Sequence, residues 1–330
     1  MHSGKEQSVR CAICPKRCLI PPGFSGECRI RMNIGGVLQA STYGRPCAVH
    51  VDPMEKKPLF HFFPGQHILS VGTAGCNLHC KNCQNADISQ ANPEDVQSYD
   101  LPPSGIPALA ARHNCRHIAY TYTEPIVSYE YISDSAQAAR AAGLRNVLIT
   151  AGYITATPLR QLLPVIDAAN VDIKAFSDSF YRDVCSARLA PVLQTVETMK
   201  RAGTHVEITN LVIPTLNDSD DLIRQLSAWV AEKIGAETPL HFSRFFPTFK
   251  MTHLPPTPIE TLTRARDIAR QEGLKHVYIG NAEVADGETT CCASCHARLI
   301  TRQRYVVREN RLTEDGACPG CGKRVQGVWA

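Results

Sequence analysis

The sequence has no apolar run long enough to cross a membrane and no apolar stretch at its start. The chain has 330 residues, of which 20% are charged, and its longest apolar runs fall well short of the ~18 residues that a membrane span needs. Its first residues, MHSGKEQSVRCAICPKRC, lack the apolar core of a signal peptide. Internal repeats beyond a strand–helix alternation and low-complexity segments are missing too. From these absences we expect a cytoplasmic globular protein with a sizeable core, and we do not expect a membrane-spanning, secreted or disordered protein.

Cysteine, by contrast, is abundant: the chain contains 15. A protein that is not secreted keeps its thiols reduced, so clustered cysteines indicate metal or redox chemistry rather than disulfides. Outside the clusters lie Cys47, Cys115, Cys185 and Cys291, and we expect Cys115 and Cys185 to be core residues. The other eleven form three tight sets, which are Cys11, Cys14, Cys18 and Cys28; Cys76, Cys80 and Cys83; and Cys292, Cys295, Cys318 and Cys321.

The middle of the chain alternates short β-branched runs with amphipathic segments of helical period. Such alternation predicts parallel βαβ units, and six or seven repeats favour a full or partial (β/α) barrel over an open doubly wound sheet. Helices are predicted at 105–114, 128–142, 157–168, 190–202, 219–234 and 257–272. Strands are predicted at 67–73, 116–121, 145–150, 170–174, 205–213, 239–245 and 275–280.

The two ends of the chain differ from this α/β region in composition and charge. Residues 1–34 hold 6 Lys and Arg against 2 Asp and Glu, and residues 289–330 hold 7 against 3. The remainder holds 22 against 26, so two basic ends flank a slightly acidic middle. We predict four parts: a cysteine-rich metal-binding segment at 1–34, a lead-in segment at 35–66, an α/β barrel at 67–288 and a zinc-ribbon-like module at 289–330.

The central cysteine set is the most specific signal. Cys76, Cys80 and Cys83 follow the first predicted barrel strand with C-x3-C-x2-C spacing. Three thiolates on one loop can hold three irons of a cubane cluster and leave the fourth iron open, whereas an electron-transfer site normally uses four cysteines. The alternative is a zinc loop completed by His79 or a distant residue.

This loop resembles the cluster loop of the radical S-adenosylmethionine (SAM) superfamily. The resemblance implies a (β/α) barrel of the radical SAM type and a [4Fe-4S] cluster whose open iron is chelated by the methionyl amino and carboxylate groups of SAM. It further implies that an electron from the cluster cleaves the sulfonium and releases a 5′-deoxyadenosyl radical. The cofactors carry this chemistry, while the protein positions them and excludes water.

Polar residues near the ends of the predicted strands match family positions one by one. Thr123 and Glu124 lie where the family has Gly-Gly-Glu-Pro, and the resemblance implies that Glu124 accepts from the methionyl ammonium. Asp172 and Lys174 resemble the Asp-x-Lys pair of pyruvate formate-lyase activating enzymes, and Lys174 is expected to face the methionyl carboxylate. All these residues lie toward the C-terminal strand ends, where barrel enzymes place their active sites. Three further candidates complete the set. Asn82 lies where the family usually has an aromatic residue, and Asn210 lies where the activases tend to have His. Arg244 comes from the sixth predicted strand.

Motifs along nearly the whole chain identify a narrower resemblance. They include YGRPCAVHVDPMEKKPLFHFFPG, CNLHCKNCQN, YTYTEPIVSYEY, DVCSARLAPVL, VEITNLVIPTLND, HFSRFFPTFKM and the final QGVWA. Together they resemble the AmmeMemoRadiSam system radical SAM enzymes, a family similar to the activating enzymes of glycyl radical proteins. The resemblance implies an electron donor such as flavodoxin or ferredoxin, and as further partners a protein substrate or the Memo-like and related proteins of the same system.

The two outer cysteine sets predict further metal sites. Cys292-x2-Cys295 and Cys318-x2-Cys321 have the spacing of a zinc ribbon, with a second iron–sulfur cluster as the alternative. The register of the first pair favours Cys292 over the adjacent Cys291. Four thiolates within residues 11–28 suit either zinc or an auxiliary [4Fe-4S] cluster, and the sequence slightly favours zinc or another metal.

Two classes of function compete. The first is a radical SAM enzyme that abstracts hydrogen from an unidentified substrate, either a small molecule or modified residue, or a glycine on a partner polypeptide if the protein is an activase. The second is a non-enzymatic metal- and nucleic-acid-binding module, since zinc ribbons and basic patches often contact nucleic acid. The basic residues are not interleaved with aromatic ones, and a binding module has no use for an open iron. We therefore expect an enzyme and no nucleic-acid partner.

Overall fold

A computed structural model of the protein describes residues 7–329. The chain begins with two small antiparallel hairpins that carry and flank the first cysteine set. Their strands are β1 (Val9–Arg10), β2 (Leu19–Ile20), β3 (Arg31–Ile34) and β4 (Val37–Ala40). We call residues 9–40 the N-terminal module. Its residues Cys28 and Ile30 belong to the same buried cluster as the main sheet, so the module shares the main core.

An eight-stranded sheet forms the centre of the molecule. Its strands are hydrogen-bonded in sequence order, and every pair is parallel except the first, which is antiparallel. They are β5 (Ala48–Pro53), β6 (His67–Gly72), β7 (His117–Tyr120), β8 (Arg145–Thr150), β9 (Ala168–Asp172), β10 (His205–Val212), β11 (Leu240–Arg244) and β12 (Val277–Gly280). Among the described residues, no pairing joins β5 to β12, so the predicted α/β architecture is confirmed in its partial-barrel form.

Helices follow the parallel strands and cover the sheet. Ser219 caps α7 by accepting a hydrogen bond from the Leu222 amide at 3.4 Å. The helices are α1 (Ala86–Ser89), α2 (Gly105–Arg112), α3 (Tyr129–Ala141), α4 (Ala156–Leu162), α5 (Asp178–Phe180), α6 (Leu189–Arg201), α7 (Asp220–Trp229) and α8 (Ile259–Gln271). No helix within residues 7–329 is long and apolar enough to cross a bilayer.

The predicted boundaries fail around residues 157–174. The helix predicted at 157–168 ends at Leu162 and continues as one 3-10 turn over Leu163–Val165. Pro164 in that turn has no amide hydrogen to continue an α-helix. Strand β9 consequently starts at Ala168, two residues before the predicted 170–174, and ends at Asp172.

The chain ends in a three-stranded antiparallel sheet with its own small core. Its strands are β13 (Thr290–Cys291), β14 (Arg298–Gln303) and β15 (Val306–Asn310), and β14 with β15 forms a hairpin. We call residues 289–329 the C-terminal module. The buried residues of its core are Cys292, Leu299, Ile300, Cys318 and Val325.

Buried charges fix the lead-in segment between the barrel and the C-terminal module. Glu207 on β10 is fully buried, and its carboxylate accepts hydrogen bonds from the backbone amides of Phe60 at 3.0 Å and His61 at 2.7 Å. Arg302 on β14 pairs with buried Glu55 at 3.4 Å and also donates to the Phe60 carbonyl at 2.7 Å. A buried charge without such partners would be strongly destabilising, so these contacts hold residues 55–61 in place.

Candidate active site and metal centres

The three central cysteines open into one cavity of about 500 Å³ at the C-terminal ends of the barrel strands. Thiolates that share one zinc ion lie about 3.8 Å apart, given Zn–S bonds of ~2.3 Å in a tetrahedron. The sulfurs of Cys76, Cys80 and Cys83 do not group within 4.8 Å of one another or of a histidine. His79 instead faces Gln90, with Nδ1 at 2.9 Å from Oε1. The spacing suits a multi-iron cluster rather than the zinc loop considered as an alternative.

Backbone contacts fix the shape of this cysteine loop. The amides of His79 and Lys81 donate to the carbonyls of Cys185 and Val184, both at 3.0 Å. Cys185 is buried, as predicted. Its thiol also forms a hydrogen bond with the Cys80 thiol, and this hydrogen bond lowers the pKa of Cys80. Sequence reasoning treated Cys185 as a core residue because more than a hundred positions separate the two cysteines.

Glu124 is buried at the end of β7 and is held by two donors from the end of β8. Thr150 Oγ1 donates to one carboxylate oxygen at 2.6 Å, and the Ala151 amide donates to the other at 2.7 Å. Burial raises the pKa of Glu124 to about 7, although both hydrogen bonds act in the opposite direction. A buried carboxylate of this kind gains from a cationic partner, because the partner offsets the lost solvation.

Asp172 and Lys174 form an ion pair at the end of β9, with Lys174 Nζ at 2.7 Å from Asp172 Oδ2. Both line the cavity beside Cys80. Burial opposes the charge on Lys174, but the Asp172 and Cys80 charges outweigh it and raise the pKa of Lys174. The cavity therefore holds a buried ammonium group next to the cysteine loop, and this group is paired with the Asp172 carboxylate.

Asn82 and Thr123 complete the set of predicted residues on the cavity wall. Thr123 Oγ1 donates to the Thr73 carbonyl at 2.8 Å. Asn82 and Thr209 line the cavity, and their buried Oδ1 and Oγ1 atoms have no hydrogen-bond partner in the described part of the chain. Buried polar atoms are normally paired, so these orphaned atoms indicate that the cavity receives a polar ligand.

Asn210 and Arg244 lie outside the cavity wall. The Asn210 amide donates to the carbonyl of Ile173 at 2.8 Å and to that of Lys174 at 3.3 Å, so its described contacts hold the chain after β9. Arg244 lines a neighbouring groove of about 880 Å³, and its Nε donates to the Thr257 carbonyl at 2.8 Å. The groove and the cavity share Asn281, Glu288 and Tyr305.

Sequence reasoning missed a charged cluster built on the lead-in segment. Asp52 accepts hydrogen bonds from Lys57 at 2.7 Å and from the Tyr122 hydroxyl at 2.6 Å, and both donors line the cavity. The Lys57 ammonium also lies 4.6 Å from the centre of the Tyr122 ring. Tyr122 has φ +73, a conformation that a bulky side chain rarely adopts, so these contacts hold a strained residue at the site. The sequence pattern of residues 52–57, DPMEKK, does not predict that Asp52 and Lys57 are buried.

The four C-terminal cysteines converge as predicted. The sulfurs of Cys292, Cys295, Cys318 and Cys321 all lie within 4.8 Å of one another. Cys292 rather than Cys291 belongs to the group, which confirms the Cys-x2-Cys register. Four thiols at this spacing can bind one tetrahedral metal ion.

Comparison with known proteins agrees with this geometry. Residues 70–226 match the family model of the Radical SAM superfamily. The chain is 47% identical over 321 residues to "Uncharacterized protein MJ0808" of Methanocaldococcus jannaschii, covering 97% of this chain and 96% of that protein. It is 23% identical over 221 residues to the pyruvate formate-lyase 1-activating enzyme of Escherichia coli K12, covering 62% and 89%.

A similar fold occurs in Streptococcus suis SuiB, solved bound to S-adenosylmethionine. The match has a TM-score of 0.52 and 13% identity, and it covers 70% of this chain and 53% of SuiB. The likeness concerns the fold alone. Taken with the cysteine loop and the family match, the observations support an enzyme with an iron–sulfur cluster and SAM as cofactors. The chain belongs to the same family as the M. jannaschii protein, and its barrel carries a radical SAM domain.

Proposed function

We propose that the protein cleaves SAM reductively at the cavity beside Cys76, Cys80 and Cys83 and uses the product to abstract hydrogen from a substrate. The observation that carries this proposal is the three-cysteine loop, whose sulfurs face one cavity without converging on a single ion. Cys76, Cys80 and Cys83 would hold a [4Fe-4S] cluster, which would supply the electron for reductive cleavage of SAM. The orphaned Asn82 and Thr209 oxygens support a polar ligand there.

The residues around the loop would bind and orient SAM. Glu124, fixed by Thr150 and Ala151, would accept the methionyl ammonium. Lys174 would face the methionyl carboxylate, with Asp172 keeping its ammonium in place. Thr123 and Asn82 lie on the same wall and would contact the rest of the molecule. Asn210, which holds the Lys174 carbonyl, would act as a positioning residue.

The direct test is product formation by the anaerobically reconstituted, dithionite-reduced protein. We expect 5′-deoxyadenosine and methionine, and we expect Cys80→Ala to abolish both products. Cys115→Ala is the matched control, because Cys115 is a buried cysteine outside all three sets. Equal turnover by the wild type and Cys80→Ala would refute the mechanism.

A second test concerns Glu124. Removing the carboxylate takes away a charge-assisted hydrogen bond worth about 1.5–3 kcal/mol, so Glu124→Ala should weaken SAM binding by at least tenfold. The visible absorbance of the cluster should persist, because Glu124 is not a cysteine ligand. Glu197 on α6 is partly exposed and lies outside the cavity wall, so Glu197→Gln serves as the control, and unchanged affinity in Glu124→Ala would remove Glu124 from the site.

The narrower assignment is the radical SAM member of an AmmeMemoRadiSam system, with an activase as the second candidate. The motifs along the whole chain support the first, and likeness to an activating enzyme over 89% of that enzyme's length supports the second. The groove that continues from the cavity past Asn281 and Tyr305 offers room for a polypeptide segment that presents a glycine. Memo-like proteins and a flavodoxin or ferredoxin are the corresponding partners.

Deuterium transfer separates these substrates. Deuterium would appear in 5′-deoxyadenosine only when the labelled substrate itself loses hydrogen to the radical. A cell extract whose proteins carry deuterated glycine should label the product if the protein is an activase. Labelling from a small-molecule fraction, and not from the protein fraction, would contradict the activase.

A further inference from the structure

The four N-terminal cysteines surround one small, mostly apolar cavity. Cys11 and Cys28 are buried, and Cys14 and Cys18 are partly buried. The rest of the wall is largely aliphatic, with Lys16, Arg31 and Asn77 as its polar members. Three of these thiols come from the loop between β1 and β2, and Cys28 comes from the turn before β3, so two separate segments bring four potential ligands to one apolar space.

The spacing of these sulfurs differs from that of the C-terminal set. No three of the four N-terminal thiols group within 4.8 Å, whereas all four C-terminal ones do. A single tetrahedral zinc ion would need about 3.8 Å between sulfurs, given Zn–S bonds of ~2.3 Å. The buried Arg31 Nε also has no partner within residues 7–329, and N–H donors commonly hydrogen-bond to cluster sulfurs. Both observations fit a cubane better than zinc.

The cavity shares a wall with the radical SAM cysteine loop. Gly75, directly before Cys76, packs so closely on the module that a Cβ there would lie 2.4 Å from the Cys28 carbonyl oxygen. Asn77, directly after Cys76, lines the N-terminal cavity itself. One layer of residues therefore separates the two cysteine sites, and electron transfer is fastest between centres at such close approach.

The N-terminal module exposes both large apolar and basic side chains, and exposed Leu19 is paired with exposed Arg10 across its first hairpin. Four of its large apolar side chains are at least half exposed, namely Leu19 57%, Phe24 66%, Ile34 50% and Val37 59%. Arg10 and Arg17 are exposed, and no acidic side chain pairs with either in the described structure. Arg10 Nη1 also donates to the Arg17 carbonyl at 3.1 Å, so the two arginines lie near Leu19, and exposed apolar and basic side chains side by side suit an acidic partner, because complementary charge steers docking.

We propose that Cys11, Cys14, Cys18 and Cys28 hold an auxiliary [4Fe-4S] cluster that relays single electrons to the cluster at Cys76, Cys80 and Cys83. A reduced, acidic one-electron carrier such as flavodoxin docks on the N-terminal module and is oxidised by one electron. The auxiliary cluster takes up that electron and passes it on, so it returns to its oxidised state and no bond in the protein changes. The relay rests on the proposed function, whereas the presence of the cluster does not.

Iron content tests the cluster without any activity. Two [4Fe-4S] clusters predict about eight irons per chain after anaerobic reconstitution of the full-length protein, and Cys14→Ser should lower this to about four. The matched control Cys115→Ser should keep the wild-type value. Mössbauer spectra of the wild type add a measurement that no folding defect of a variant can affect. About four irons in the wild type, with zinc at the N-terminal set, would overturn the proposal.

The choice of reductant tests the relay. Dithionite is small enough to reduce the central cluster directly, so it separates the relay from SAM cleavage itself. For Cys14→Ser, the ratio of flavodoxin-driven to dithionite-driven 5′-deoxyadenosine formation should fall at least tenfold relative to the wild type. An unchanged ratio would refute the relay. Absence of product from the wild type with dithionite would instead refute the proposed function.

Discussion

The N-terminal and C-terminal modules each carry one set of four clustered cysteines, yet the sulfurs of the two sets are arranged in opposite ways. The C-terminal cysteines converge within 4.8 Å and belong to a small core of their own. The N-terminal cysteines stay apart, and Cys28 is part of the main core of the barrel. The first arrangement suits one metal ion that organises its own module. The second suits a larger group that is built into the wall of the active site.

The difference teaches that ligand number and spacing along the chain do not define a metal site. Both modules offer four thiolates, and both could be assigned to zinc or to iron and sulfur from the sequence. The packing decides, because it sets how closely the sulfurs approach and what lies behind them. Behind the C-terminal set lies the hairpin of β14 and β15, whereas behind the N-terminal set lies the Gly75–Asn77 segment.

The largest expected effect follows from removing a C-terminal ligand. Structural zinc sites contribute an apparent ~10–16 kcal/mol, far more than a core of this size supplies. Cys318→Ser should therefore lose one metal ion per chain and expose residues 289–329 to limited proteolysis. Cys291→Ser is the matched control, because Cys291 adjoins the group but lies outside it. If Cys318→Ser retained the metal, the C-terminal cysteines would not be the ligands of one metal ion that organises this module.

The buried ion pair that docks the C-terminal module should rank next. Arg302→Met leaves Glu55 as an unpaired buried carboxylate and should lower the free energy of unfolding by about 3–5 kcal/mol. Exposed Arg304, which pairs with exposed Glu283, gives the control, and Arg304→Met should cost less than about 1 kcal/mol. Denaturant titration measures both, and equal effects would mean that Arg302 does not tie the module to the barrel.

Contact between the N-terminal module and the cysteine loop should come third. A Cβ in Gly75→Ala would meet the Cys28 carbonyl oxygen at 2.4 Å and Ile30 Cγ2 at 2.7 Å, at φ +81. Overpacking and strain together should cost about 2–4 kcal/mol in unfolding free energy. Gly36→Ala has the same kind of backbone, at φ +85, but meets nothing within 4 Å, so strain alone should cost about 1 kcal/mol. Similar losses in both variants would show that the module is not packed on the loop.

The smallest effect concerns a hydrogen bond from the barrel to the module. Thr155 Oγ1 donates to the Ala12 carbonyl at 2.5 Å, so Thr155→Val should cost about 1 kcal/mol. Hydrogen exchange should quicken within residues 9–34 and stay unchanged in the C-terminal module. Thr198→Val removes a hydroxyl bonded within α6, to the Gln194 carbonyl at 2.7 Å, and should leave exchange in the N-terminal module unchanged. Uniform loss of protection across the chain would contradict the expectation.

Much of the barrel could be predicted, because parallel strands buried on both faces leave β-branched runs that local sequence reveals. Strand β8 occupies 145–150, as predicted. The predicted helix boundary failed at Pro164, which ends α4 early. The sequence pattern also did not reveal that polar residues of the lead-in segment are buried. No periodicity marks Asp52 or Lys57 as buried, since their burial depends on each other and on Tyr122. The amide of Asn210 likewise contacts backbone rather than the cavity.

By itself, the sequence determined the alternation of strands and helices, the three cysteine sets and the C-x3-C-x2-C loop after the first barrel strand. These are local properties, set by side-chain type and by the reach of a few residues of chain. Only the tertiary structure decided that the sheet stays open, that Cys185 meets Cys80 and that the N-terminal cysteines lie against the Gly75–Asn77 segment. Such contacts join residues far apart in the chain, and packing and burial, rather than spacing, bring them together.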